Sequence, residues 1–253
     1  MIHRALKMAF WVTYDHLGTL VIWNALGIGL LVALGILSAS LPGYLGLPVL
    51  AADVAIVLPA LLAVLGHVGR NLIERREAGL STLVEGARFA LPGAVVGLEF
   101  SALIALSLLG VYYYLVVIGR PTPIYGYALA AVCFWAAVCF AAAYFFALPA
   151  VAQRRAGALA AVKTGFLLAV DNPLFTAAML LHAGALLALA LMPPVLLLFS
   201  FAPLAMLQSA AYEILARKYA APLVNGKRVI DYRDAEDDLL NRGLRDFFFP
   251  WKG

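Results

Sequence analysis

Charge is what this sequence has least of. Aspartate, glutamate, lysine and arginine make up 13% of its 253 residues, about half the roughly 25% of an ordinary soluble domain. Hydrophobic residues make up 64%, and mean hydropathy is +0.95. A water-soluble globular fold is excluded on that balance, and no polar block is large enough for a separate soluble domain. Cysteine is nearly absent. Cys133 and Cys139 stand six residues apart in one apolar run, so a helix points them to different faces. No disulfide framework and no CxxC pair is present, and both cysteines read as small buried hydrophobes. Catalytic signatures are missing too: no HExxH, no GxSxG elbow and no Walker A loop occurs. The sequence therefore carries no enzymatic signature and calls for no cofactor.

Long apolar runs take their place. A helix needs roughly 20 apolar residues to cross a bilayer core of about 30 Å. Six candidates meet that length: 18–38, 48–69, 93–117, 126–149, 173–191 and 195–215. Met192-Pro193-Pro194 separates the last two and reads as a tight turn, because paired prolines remove two backbone donors. One long broken helix is the alternative there. The expected architecture is all-α: a polytopic bundle of six spans over residues 1–216, followed by a cytoplasmic tail, 217–253.

The basic residues orient the bundle. Arg4 and Lys7 precede span one. Arg70, Arg75, Arg76 and Arg88 follow span two, Arg154, Arg155 and Lys163 follow span four, and eight more lie from Arg217 onward. Of the 18 lysines and arginines, only Arg120 falls in the other connections. Such asymmetry puts both termini in the cytoplasm and predicts a multi-pass protein of the plasma (inner) membrane. The net charge of +4 is thus a matter of topology, and nucleic acid is rejected as a partner. The first apolar run exceeds the 7–15 residues of a signal peptide core and reads as an uncleaved span. Tyr112, Tyr113, Tyr114, Tyr125 and Tyr127, with Trp11 and Tyr14 before span one, suit interfacial belts.

Two basic segments look alike. "RREAGLSTLVEGARFALPG" from Arg75 and "RRAGALAAVKTGFLLAVDNP" from Arg154 both open on Arg-Arg and reach a proline, Pro92 or Pro173, before the next span. The pattern suggests a parallel repeat of two hairpins. Each segment is expected to form a short amphipathic helix on the cytoplasmic surface, with Leu80, Leu83, Val84, Ala87 and Leu91 on one face of the first. In the tail, Asn225-Gly226 marks a turn, residues 234–238 form an acidic patch, and Leu239, Leu240, Leu244, Phe247 and Phe248 give a short amphipathic run. Phe247, Phe248 and Trp251, with Arg75, Arg76, Arg154 and Arg155, are candidates for contact with the membrane surface or with a membrane-protein partner.

Polar residues inside the spans are the remaining signal. Glu99 stands about six residues into span three, Asn24 six into span one, and Gln208 seven before the inner end of span six. His182 lies within span five and His67 near the inner end of span two. Ionisable groups at such depth are costly and tend to face a bundle interior. One reading gathers Asn24, Glu99 and Gln208 into an inward-facing polar layer, with Glu99 as a proton or cation site. The other has them joining helices by hydrogen bonds. Asp53, about five residues into span two, is expected near the outer headgroups. His67 and His182 are residue types that ligate haem, but no supporting motif accompanies them. Gly93-x-x-x-Gly97 and Ala137-x-x-x-Ala141 are patterns that allow close helix approach.

"YDHLGTLVIWNALGIGLL" at the first span, with Leu-Gly before it, Asn24 within it, Leu41-Pro42 after it and the charged segment ending at Arg88-Phe89, resembles the YesL-like bacterial membrane proteins. That family is defined by a domain of unknown function. The resemblance covers residues 10–215 in layout. It implies a small helical membrane protein accessory to carbohydrate ABC transport, and it supplies no catalytic residues. Two functions follow as expectations: an accessory or scaffold subunit of a membrane assembly, or a small transporter with an inward-facing site around Glu99.

Overall fold

Apolar runs without charge become helices, and proline and glycine set where they turn. The computed structural model describes residues 1–74, 79–118, 124–154, 157–190, 201–224, 227–228 and 238–242. The short helix α1 (Ile2–Asp15) breaks from α2 (Leu17–Ser40) at His16. Helix α2 stops because Leu41 precedes a proline and is forced into extended backbone, φ −90° and ψ 154°. The chain returns through α3 (Gly43–Ala52), a π-helical turn (Asp53–Val57) and α4 (Leu58–Glu74). The hydroxyl of Ser38 closes this corner, donating to the Gly46 carbonyl at 2.7 Å. Next come α5 (Leu80–Gly86), a 3-10 turn (Ala87–Phe89), α6 (Ala90–Tyr112) and a second π-helical turn (Tyr113–Val117). Then follow α7 (Ile124–Arg154), α8 (Ala158–Asp171), α9 (Pro173–Ala190), α10 (Phe201–Ala220) and the four-residue α11 (Asp238–Asn241). Two residue pairs, Leu223–Val224 and Lys227–Arg228, form an antiparallel β contact on either side of Asn225-Gly226.

Among the described residues, four helical runs are long and apolar enough to cross a bilayer: Leu17–Ser40, Gly43–Glu74, Leu80–Val117 and Ile124–Gln153. Helices α8 and α9 qualify only as a pair bent by 108°. Helix α10, which carries Glu213, Arg217 and Lys218, is not among them. The outward faces of the four runs are oily. Leu26, Ile36, Leu106, Val132 and Trp135 are 62–69% exposed, a surface that water does not tolerate over such an area.

The core sits around α10. Met206, Tyr212, Ile214 and Leu215 are buried there, and α1, α2, α4, α7 and α9 all pack on it. Helix α1 presents Ala5, Met8, Trp11 and Val12 to this core. Trp11, expected at an interfacial belt, is 4% exposed. The belt tyrosines Tyr112, Tyr113, Tyr125 and Tyr127 do face outward.

The two basic segments do not adopt the same structure. The first runs on from α5 into α6 as one helical run. The second, α8, lies along α7 with Phe166 between Phe100 and Phe140, then breaks at Asn172. That corner is pinned from α10. The Lys218 ammonium donates to Asn172 Oδ1 at 2.5 Å, and the Asn172 amide donates to the Tyr219 hydroxyl at 2.9 Å. The expected repeat therefore gives way to a bent pair, α8 and α9, pinned at its corner from α10.

The tail also returns to the core. Leu239 is buried, Lys7 donates to the Leu240 carbonyl at 2.7 Å, and the Arg242 guanidinium meets both Asp15 oxygens at 2.6 and 2.7 Å. Leu239 and Leu240, the start of the expected amphipathic run, thus strap this stretch onto α1.

Candidate functional site

Close helix contact decides which polar side chains face in. On α6, Gly93 and Gly97 lie against α4: a Cβ at Gly93 would stand 2.5 Å from that of Ala63, and one at Gly97 would overlap the Pro59 ring and the Ala55 carbonyl. Pro59 lacks the amide that Ala55 would otherwise receive, and the π-helical turn lies just ahead of it. The glycine pair thus joins helices within the molecule. Glu99 is two residues past Gly97, about 200° round the helix. It is exposed, stands midway along the Leu80–Val117 run and makes no hydrogen bond or ion pair with the described residues.

Asn24 lies at the opposite extreme. It is 1% exposed, and its Oδ1 accepts the Ala202 backbone N–H at 3.1 Å. That amide belongs to the first turn of α10, where donors have no partner within the helix. Gln208 is buried on the same helix. Next to it, the Ser209 hydroxyl donates to the Gly66 carbonyl at 3.4 Å, and the Gln153 amide donates to the Ser209 carbonyl at 3.2 Å. Arg70 in turn donates to the Gln153 carbonyl at 2.5 Å. The approach depends on Gly69, where a Cβ would stand 2.8 Å from Met206 Cε and Ser209 Oγ. The middle of α10 therefore rests where α4 and α7 reach their basic ends.

His67 occupies the same end of α4. It is buried under Phe89, with ring centres 5.0 Å apart. Its Nε2 lies 3.2 Å from the Asn71 amide and 3.8 Å from Glu85 Oε2. Its buried Nδ1 has no hydrogen-bond partner among the described residues. His182 is exposed on α9 and bonds the Ala178 carbonyl through Nδ1 at 2.7 Å. It lines an apolar groove of about 380 Å³ with α1 and α10.

Asn24, Gln208 and His67 are thus brought to the packing around α10 and α4, whereas Glu99 and His182 lie outside it. The inward-facing layer of Asn24, Glu99 and Gln208 does not form, because the Gly93–Gly97 contact turns Glu99 away. A second cavity of about 250 Å³ lies beside Trp23 and Asn24, lined otherwise by leucines, Gly27, Val64 and Phe201. Neither space is polar. Among the described residues no group of three or more His, Cys, Asp or Glu is placed to hold a metal ion. Arg75, Arg76, Arg155, Phe247, Phe248 and Trp251 lie outside the described residues, as does the side chain of Arg154.

Asp53, expected near the outer headgroups, is 6% exposed and opens the π-helical turn, and its Oδ1 has no hydrogen-bond partner among the described residues. Its depth follows from the helix beginning at Gly43, not at Pro48. Proline inside a helix, as Pro48 is, hid that start.

Comparison with family models, with curated proteins and with solved structures finds no match for this chain.

Proposed function

We propose that this chain is a multi-pass subunit of the plasma (inner) membrane, without catalytic machinery, that serves as an accessory or scaffold piece of a larger membrane assembly. Glu99 carries the reading. An ionised side chain at the centre of a span costs about 2.5–3.5 kcal/mol on insertion scales. Here the carboxylate sits within the apolar Leu80–Val117 run, about six residues into the 93–117 stretch, on an outward helix face. A conduit would place it against a polar cavity. An assembly face places it where another helix covers it. The two cavities described above are apolar and Glu99 lines neither, which supports the second arrangement, and the YesL-like resemblance of the first span points the same way, toward a role beside a transporter.

The basic residues orient the bundle with both termini in the cytoplasm. Four spans, or six if α9 and α10 each cross, keep both termini on one side, whereas five, with the bent α8–α9 pair as one span, would put them on opposite sides. Reporter tags at the two ends are expected on the same, cytoplasmic side.

The test of function is mass. Purified gently from its membrane, the protein is expected to run as a species larger than one chain, and Glu99→Leu to shift it toward the monomer. A wild-type protein that is monomeric in the bilayer would refute the reading.

A further inference from the structure

We infer that the cavity beside Trp23 is a lipid site: it takes up one acyl chain of a membrane phospholipid, whose ester carbonyl accepts the hydrogen of Trp23 Nε1.

An unanswered donor marks the place. Trp23 is 8% exposed and forms part of the cavity wall, and its Nε1 has no hydrogen-bond partner among the described residues. A buried indole N–H ordinarily finds an acceptor, and one left unpaired costs the desolvation of that group. Asn24 is the other polar residue of the wall, but its Oδ1 already accepts the Ala202 amide. The rest of the lining is hydrocarbon, from leucines of α2 and α4, Val64, Leu83 of α5 and Phe201 of α10.

Shape and position select the occupant. A dry apolar cavity of about 150 Å³ admits benzene, and this one, at about 250 Å³, has room for more. Gly27 keeps it wide, since a Cβ there would meet nothing nearer than Leu61 at 3.7 Å. A wholly apolar guest would leave the indole N–H bare, and a polar one would face a wall of leucines. A hydrocarbon chain that ends in a carbonyl suits both. Leu26 and Leu30 line the same cavity and are exposed, so it opens on the oily face of α2, where lipid is the neighbour. Trp23 stands five residues into the 18–38 run, about 7.5 Å from its start at the helical rise. That is close to the interface, where indole rings gather and where the ester carbonyls of a phospholipid join its chains to its headgroup.

The experiment is photolabelling of the full chain in phosphatidylcholine vesicles doped with a phosphatidylcholine that carries a diazirine in one ester-linked acyl chain. Mass spectrometry is expected to find adducts on Leu62 and Leu65, which line the cavity and are buried, as well as on the outward-facing Val132. An ether-linked probe with the same diazirine lacks the carbonyl. It should label Leu62 and Leu65 about two- to tenfold less, the worth of one net hydrogen bond, with Val132 unchanged. In Trp23→Phe the two probes should label alike. Gly27→Leu, which fills the cavity, should cut labelling at Leu62 and Leu65 at least tenfold. Adducts confined to outward residues, or equal labelling of the wild-type cavity by ester and ether probes, would overturn the inference. So would cavity labelling by a diazirine fatty acid that the phospholipid probe does not reproduce. The ester–ether comparison on the wild-type chain needs no variant, so it decides the matter even if Gly27→Leu fails to fold.

Discussion

Asn24 and Ala202, in the second and tenth helices, are joined by a 3.1 Å hydrogen bond from backbone amide to side-chain oxygen. A helix start is thereby capped from another helix, inside the protein. Asn24→Ala is expected to lose this acceptor and to cost about 1–2 kcal/mol, the range for lost caps. In a chain of this size that lowers Tm by about 2–8 °C in a two-state melt. Asn24→Asp keeps an acceptor but puts an ionisable group where Asn24 is 1% exposed, and should lose at least as much. Thermal melting in one detergent compares the two, and an unchanged Tm for the alanine variant would remove the capping role.

The α4–α6 contact leaves no room at Gly97. Gly97→Val is expected to destabilise the bundle by about 1–3 kcal/mol, the usual cost of overpacking. Gly29→Ala, where nothing lies within 4 Å, should be neutral or slightly stabilising, since alanine favours helix. The same melt, run on both, separates crowding from helix propensity. Equal effects would mean that the glycine pair is not what brings the helices together.

The strap between the chain's two ends is weaker. Asp15 and Arg242 keep 25% and 24% of their side-chain surface exposed, so solvent screens the pair and its coupling should not exceed about 1 kcal/mol. Asp15→Asn and Arg242→Gln, singly and together, measure it in a double-mutant cycle. Each single change should also speed proteolytic release of the segment from Asp238 onward. Release at the wild-type rate would show that Leu239 and the Lys7 bond hold it without the ion pair.

How much of this was legible in the sequence follows from what hydropathy measures. Composition along the chain gave the helices α2 and α7 within a few residues of 18–38 and 126–149, because uncharged runs have few alternatives to helix in lipid. It does not give direction. Glu99 reads as an inward acid until Gly93 and Gly97 are seen to claim the inner face. The signal was present, since two residues past a packed glycine is nearly the opposite side. Span six was read from its apolar residues, but Glu213, Arg217 and Lys218 lower its hydropathy, and its burial against five helices depends on contacts distant in sequence. Trp11 was placed by residue type, and its partner Arg242, whose guanidinium lies 5.4 Å from the ring, sits at the other end of the chain. The resemblance between the basic segments was real in letters. It failed in shape because Asn172 is held by Lys218 and Tyr219, and the first segment has no such anchor among the described residues.

The central position of α10 bears on how the protein is made. Its residues leave the ribosome after all four apolar runs have been made, yet they are what α1 folds against. During synthesis the amphipathic first helix has no neighbour to cover Met8 and Val12, and the inner ends of α4 and α7 stand apart. A chain cut short before Phe201 is therefore left without the helix on which α1, α4 and α7 converge.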